Sequence, residues 1–261
     1  MSDNAQKNFD TIVHLGAGRD TNGQQADYGA RRIILVEANP DAAEVLAARN
    51  AKRSHVTVLT KAVAGNVGAR ILNIFNLQSA SSLNAPTSLR KLYPNIEIVN
   101  TIPVKTLAAD KFIQELELSE TQRHLLVIDT PGVEYEILQS LIGSKLLTQF
   151  ARIHVHSTEN QLYEGAKTTA EIEPLLSKQG FSTSIDTSTP DHPIIKAELS
   201  QFYAELVKTR TDLADAKTEI ARLERIVQEA HYRSELTDNE LVKTDAQLEL
   251  IKDFLSRNKA L

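Results

Sequence analysis

Gly16, Ala17 and Gly18 follow an apolar run, Ile12 to Leu15, and Glu37 closes a second run, Ile33 to Val36. Glycine lacks a Cβ, so the backbone can turn tightly there and a ligand can approach it. A helix that opens after such a turn presents unpaired N–H groups. A strand-end carboxylate about twenty residues downstream can accept hydrogen bonds from both hydroxyls of a ribose. Together these residues suit a nucleotide-type cofactor, since NAD, FAD and S-adenosylmethionine share that ribose. The plainer alternative is a tight strand-to-helix turn beside a surface glutamate.

A third apolar run, Leu125 to Ile128, also ends in a carboxylate, Asp129. At the same sheet edge Asp129 could act as a general base, orient a substrate hydroxyl or hold a metal ion. It could equally cap a helix opening at Val133, because Asp is favoured at that position. His154 and His156 lie two apart on a predicted strand and so share a face. With Asp129 or Glu159 they could bind a metal, and His156 could serve as a second base. Two histidines lack the third ligand of a usual metal site, so no metal is expected. His14 reads as a core histidine whose ring finds a hydrogen bond. Ser81 and Ser82 suit either substrate contact or a turn. Tyr163-Glu164-Gly165 suits either a lid or a surface loop.

The elements that must hold these residues alternate. Strands are predicted near 11–15, 33–37, 56–60, 71–76, 98–104, 125–129, 151–156, 181–185 and 194–198. Helices are predicted near 40–51, 107–117, 133–142 and 168–179. Asn39-Pro40-Asp41 is a strong helix start. Such alternation gives an α/β fold, a mostly parallel sheet with helices on both faces. Ligands bind such sheets at the carboxyl ends of the strands, where Gly16, Glu37 and Asp129 all fall.

Composition narrows the function. The chain has 261 residues, of which 41% are hydrophobic, enough for one α/β domain and an appendage. Its net charge of −5 disfavours a nucleic-acid partner held by general phosphate attraction. The absence of cysteine excludes disulfides, a cysteine nucleophile and thiolate metal sites. The N-terminal segment is polar and no apolar run approaches the roughly 18 residues of a membrane span, so a cytoplasmic protein is expected.

After Pro193 the chain contains neither glycine nor proline. A seven-residue apolar repeat begins instead, through Leu199, Leu206, Leu213, Ile220, Val227, Ser234, Leu241, Leu248 and Leu255. The companion positions, three residues on, include Phe202, Thr209, Ala216, Leu223, Ala230, Thr237, Thr244 and Ile251. This is a coiled-coil pattern over 199–258, roughly 90 Å long at about 1.5 Å per residue. Glu205 with Arg210 and Asp212 with Lys217 suit a parallel pair. A homo-oligomer or a helical partner protein is expected to cover the stripe, and its strand number and direction stay open.

Asp129-Thr130-Pro131-Gly132 is a tetrapeptide that GTPases carry, but the turn after the first strand has no lysine for a phosphate loop. A dinucleotide fingerprint wants a third glycine, and Asp20 and Gly23 do not supply the spacing. No GxSxG hydrolase elbow is present.

The order of motifs resembles the FkbM-type family of S-adenosylmethionine-dependent methyltransferases, over roughly residues 9–198. The matching segments are VHLGAGRD, LVEANP, VLTKAVAGNVGARILNIFN, SASSL, VKTLAADKFI and LVIDTPGVEYEIL. The resemblance implies a class I methyltransferase-like, Rossmann-like fold and S-adenosylmethionine as cofactor. It implies that Gly16, Ala17, Gly18 and Glu37 hold the cofactor, with Ala38, Lys61 and Ala62 flanking its adenine. The implied reaction is O-methylation of a hydroxyl on a sugar, glycan or secondary metabolite. Asp129 is then the expected catalytic base and His156 the second candidate. The sequence departs from the family pattern at His14, Asp20, Val127 and Pro131, where an acid, a glycine, a lysine and a glutamate are usual. Those departures keep a second expectation open, a catalytically silent methyltransferase fold that acts as an oligomeric scaffold or adaptor.

Overall fold

In a computed structural model the described residues are 9–19, 29–119, 123–189 and 191–258. Asp20 and Gly23 lie outside them. The chain divides into two units, 1–203 and 204–261.

The first unit is built on a seven-stranded sheet, ordered β3-β2-β1-β7-β8-β10-β9. Its strands are β1 (Phe9–Leu15), β2 (Ala30–Glu37), β3 (Val56–Thr60), β7 (His124–Ile128), β8 (Arg152–His156), β9 (Phe181–Asp186) and β10 (Ile194–Leu199). β1 pairs in parallel with β2 and β7, β2 with β3, and β7 with β8. β10 runs antiparallel to both β8 and β9. This is the sheet of a class I methyltransferase fold. Ile33–Val36 and Leu125–Ile128 are apolar at every position, and Ile12–Leu15 at all but His14, because both faces are covered. Val13, Leu15, Ile34, Val36, Leu126 and Ile128 face one core, and Ile12, Ile33, Leu35, Leu125 and Val127 face the other. The first core is closed by α3 (Ala109–Glu115), α4 (Glu134–Gly143) and α5 (Thr169–Lys178), and the second by Leu46 of α1 (Pro40–Asn50). α1 starts as its sequence requires, with Asn39 Oδ1 accepting from the Asp41 N–H and Pro40 in the first turn.

A second sheet, β4 (Ala62–Ala64), β5 (Gly68–Phe75) and β6 (Ile98–Ala108), is ordered β4-β6-β5. β6 runs four residues beyond the strand predicted to 104, because Thr106, Leu107 and Ala108 pair with β4. α3 is accordingly shorter than the helix predicted at 107–117. The loop between β5 and β6 carries the short α2 (Leu89–Leu92), and its Ala80, Leu89 and Ile96 form a small core with Phe75 of β5 and with Leu162 and Tyr163 from the segment between β8 and α5.

The second unit is one helix. α6 spans Gln201–Asn258, and its described side chains are exposed along its length. Leu199, the first position of the apolar repeat, is the last residue of β10 and packs against the first core.

Candidate functional site

A cavity of about 740 Å³ opens at the carboxyl ends of β1, β2 and β7 and is walled by residues from the first unit alone. Its size suits a nucleoside-sized ligand together with part of a second one. Its lining includes His14, Gly16, Ala17, Gly18, Glu37, Ala38, Lys61 and Ala62 around the ends of β1 and β2. It also includes Ser79, Ser81, Ser82, Asp129, Pro131, His154, His156, Asp186 and Lys196.

The loop after β1 is glycine at two positions for different reasons. Gly16 has φ +77°, and a Cβ on it would lie 1.9 Å from the Asp129 carbonyl oxygen. The ends of β1 and β7 therefore meet backbone to backbone, with the Asp129 N–H donating to the Leu15 carbonyl at 2.9 Å. Gly18 has φ +61°, but a Cβ there would meet no atom of the described residues within 4 Å. It borders open cavity. Glu37 ties the two strand ends together. One carboxylate oxygen accepts from the Gly18 N–H and the other from the Asn39 N–H, both at 2.8 Å. Each oxygen keeps a lone pair for a hydroxyl donor. Burial pushes the Glu37 pKa up, and the two N–H groups pull it back. Lys61 pairs with Glu115 at 3.2 Å and lies 5.8 Å from the Phe112 ring centroid, which holds its stem along the wall.

Asp129 does not cap α4. The residue at that cap is Val133, which makes no side-chain cap bond. Thr130-Pro131-Gly132-Val133 forms a turn closed by the Val133 N–H on the Thr130 carbonyl at 3.0 Å, with Gly132 at φ +88°. Proline second and a left-handed glycine third make this a type II turn. It carries the chain into α4 and leaves the Asp129 side chain on the cavity. That side chain lines the cavity and is 37% exposed there. Enclosure raises the Asp129 pKa, opposed by His156 and His192. Asp129 Oδ2 lies 3.6 Å from His156 Nδ1.

The serine-rich loop is clamped over this turn. Ser82 Oγ donates to the Pro131 carbonyl at 2.5 Å, and Asn84 Nδ2 donates to the Gly132 carbonyl at 2.7 Å. Arg70 of β5 joins the clamp, bonding Asn84 and, at 2.7 Å, Glu136 of α4. A Cβ on Gly132 would lie 2.9 Å from Tyr163 Cβ, so a glycine there also lets the Tyr163 segment pack close. Tyr163 is buried and donates to the Ala80 carbonyl at 2.8 Å, as part of a packed wall.

The remaining wall is polar. The β10 register sets Lys196 opposite His154 on β8 and Ser184 on β9. Lys196 Nζ donates to Asp186 Oδ2 at 2.6 Å. Burial, then the charges of Arg152 and Lys196, lower the His154 pKa to about 4, so its ring is neutral near pH 7. A smaller cavity of about 310 Å³ shares His154 and Lys196 with the main one and continues past Arg152, Ser182, Ser184 and Glu198. Asp186, Lys196 and Arg70 carry no motif that marks them in the sequence. The available signal was alternation, with Ser182, Ser184 and Asp186 on one face of β9 and Lys196 and Glu198 on one face of β10. Glu134 was also passed over. It is fully enclosed, accepts from the Gly132 N–H at 3.1 Å, and burial raises its pKa to about 8. Among the described residues no cluster of three or more His, Cys, Asp or Glu side chains is arranged to hold a metal.

The strand order and the cavity at the strand ends define a class I methyltransferase fold. Residues 14–183 match the Methyltransferase FkbM domain family, and the chain belongs to that family. S-adenosylmethionine is the cofactor of that family, and the residues present fit it: a carboxylate at the end of β2 and a glycine whose Cβ position is open cavity. No curated protein matches the chain. Among solved structures it is similar to magnesium protoporphyrin IX methyltransferase from Synechocystis PCC 6803 with bound SAM. That match has 10% identity, TM-score 0.41, and covers 76% of this chain and 73% of that one. It is similar to N-methyltransferase NodS from Bradyrhizobium japonicum, with 8% identity, TM-score 0.41, and 74% and 87% covered. It is also similar to a Methanococcus jannaschii fibrillarin pre-rRNA processing protein, with 12% identity, TM-score 0.41, and 74% and 67% covered. No helix of the described residues is long and apolar enough to cross a membrane.

Proposed function

We propose that this protein methylates a hydroxyl group on a sugar, glycan or similarly hydroxyl-rich metabolite, with Asp129 as the base. Gly16, Ala17, Gly18 and Glu37 would hold the cofactor, and Ala38, Lys61 and Ala62 would border its adenine. S-adenosylmethionine supplies, when bound, a methyl group on a sulfonium centre. The chain's own task is to align the acceptor hydroxyl and take one proton. Asp129 suits that task because enclosure raises its proton affinity while it stays open to the cavity. His156, 3.6 Å away, favours the ionised carboxylate and offers a second site for the proton.

The observation that carries the acceptor class is the charge balance of the far wall. Lys196 is paired with Asp186 and Arg152 with Glu198, and His154 is neutral. A phosphate-rich acceptor needs uncompensated cations. Paired charges, imidazoles and serine hydroxyls instead offer alternating donors and acceptors to a neutral, hydroxylated molecule.

The test is Asp129→Asn in the full chain, with labelled S-adenosylmethionine offered to a panel of hydroxylated glycans and metabolites. Turnover is expected to fall by about 100-fold or more, with S-adenosylhomocysteine affinity kept within a few-fold. Undiminished turnover would remove Asp129 from the chemistry. A folded parent chain that fails to bind S-adenosylhomocysteine would support the scaffold function instead.

A further inference from the structure

We propose that α6 associates with the α6 of a second copy of this chain, in parallel and in register, as a coiled coil. This goes beyond methyl transfer and does not depend on it.

A straight α-helix drifts by about 20° per heptad against a strict seven-residue repeat, so a stripe kept through α6 from Leu206 to Leu255, about seven heptads, runs straight only when the helix supercoils around another. The described stripe residues of α6 are exposed. Leu213, Ile220 and Leu241 are each 55–57% exposed, and Val227 is 66% exposed. A lone solvated helix gains nothing from such a stripe, since exposed positions favour polar residues.

The hydroxyls along the stripe do not oppose its burial. Thr209, Thr237 and Thr244 donate back to the carbonyls of Glu205, Arg233 and Glu240, at 2.8, 2.9 and 2.8 Å. Each hydroxyl is thus satisfied inside its own helix, and the methyl group is left for a partner.

The flanks indicate that the partner is the same helix. A parallel pair brings a side chain just before one core position next to the partner's residue five positions later. In this chain that rule joins Glu205 to Arg210, Asp212 to Lys217, and Arg233 to Asp238. Three opposite-charge pairs form from a single sequence, so the helix carries its own complement. Glu219 with Glu224 and Glu240 with Asp245 oppose the pairing, and they make its middle and distal parts weaker than its start. The parallel register also sets Ser234 against its own copy, where two hydroxyls can bond each other. In the antiparallel arrangement of greatest overlap Ser234 faces Leu223.

The chain has no cysteine, so one introduced cysteine reports direction. Light scattering on the full-length chain should give about twice 28.9 kDa at micromolar concentration. Ser234→Cys should cross-link between copies under mild oxidation, whereas Thr218→Cys, on the outer face, should not. The pair Ile220→Asp and Leu248→Asp should return the chain to monomer without changing the near-ultraviolet circular dichroism of the first unit. A monomeric parent would overturn the proposal and direct attention to a different helical protein. An oligomer in which Ser234→Cys fails to cross-link would overturn the parallel arrangement.

Discussion

Gly16 and Gly18 stand two residues apart in one loop, and alanine at each should fail in a different way. At Gly16 the new methyl would sit 1.9 Å from the Asp129 carbonyl oxygen and 2.7 Å from its carbon. Both are backbone atoms, so the ends of β1 and β7 must separate. That movement strains the bonds from the Asp129 N–H to Leu15 and from the Gly16 N–H to Val36, each 2.9 Å. Overpacking of this kind costs about 1–3 kcal/mol, and the left-handed backbone adds about 1–2 kcal/mol. At Gly18 only the backbone contribution applies, since its Cβ would meet no atom of the described residues within 4 Å. For a domain of this size each kcal/mol lowers the melting temperature by about 2–4 °C. Gly16→Ala should therefore melt on the order of 10 °C below the parent, and Gly18→Ala about 2–8 °C below it. The tyrosine near-ultraviolet signal suits the measurement, since the chain has no tryptophan. Calorimetric titration of S-adenosylhomocysteine should then show the opposite emphasis. Gly18→Ala, still folded, puts a methyl group into the cavity and should weaken binding by about tenfold or more, a loss of about 1.4 kcal/mol. Equal melting temperatures for the two variants would refute the close approach at Gly16. Unchanged affinity in Gly18→Ala would refute the placement of the cofactor against that loop.

Glu37→Gln should weaken S-adenosylhomocysteine binding by about 10–100-fold, because hydrogen bonds to an ionised group contribute about 1.5–3 kcal/mol; an unchanged dissociation constant would sink the ribose assignment. Burial holds the Glu134 carboxyl at about 8, against 4.5 ordinarily. Between those values the folded chain keeps a proton that the unfolded chain has released. Its stabilising contribution is complete below about pH 4.5, declines as pH rises toward 8, and is level above that. Glu134→Gln should thus show a smaller fall in urea midpoint between about pH 5 and 8 than the parent, and parallel curves for the two proteins would contradict the buried, protonated carboxyl.

Much of the fold was legible in the residues because burial on both faces leaves a direct mark. Ile33–Val36 and Leu125–Ile128 are continuous apolar runs, Ile12–Leu15 is one broken only by His14, and each proved to lie in a central parallel strand. Asn39-Pro40-Asp41 marked the start of α1 because capping is chemistry between neighbours. β4 was not legible. Ala62–Ala64 is too short to show a period, and it is a strand only because β6 lies beside it. α2, four residues long, left no period either. The limits of β6 and α3 were misjudged for the same reason, since pairing with β4 extends the strand into residues of helical pattern.

The site divides along the same line. Gly16, Gly18, Glu37 and Asp129 are marked by the abrupt ends of apolar runs, so the sequence alone indicates a ligand edge and a carboxylate on it. The seven-residue repeat of α6 is likewise a property of the sequence, because helical period depends only on neighbouring residues. The wall opposite the cofactor end is a different matter. Lys196 meets His154 and Ser184 because β10 inserts antiparallel between β8 and β9. Arg70 reaches Glu136 across 66 positions, and Ser82 reaches Pro131 across 49. Whether Asp129 caps a helix or faces a cavity turned on the type II turn at Pro131 and Gly132. Its raised pKa, and that of Glu134, come from enclosure by residues distant in sequence. Local pattern records which face of an element is buried and where the element stops. Which charges, walls and carbonyls surround a given side chain depends on strand order and packing, which only the folded chain decides.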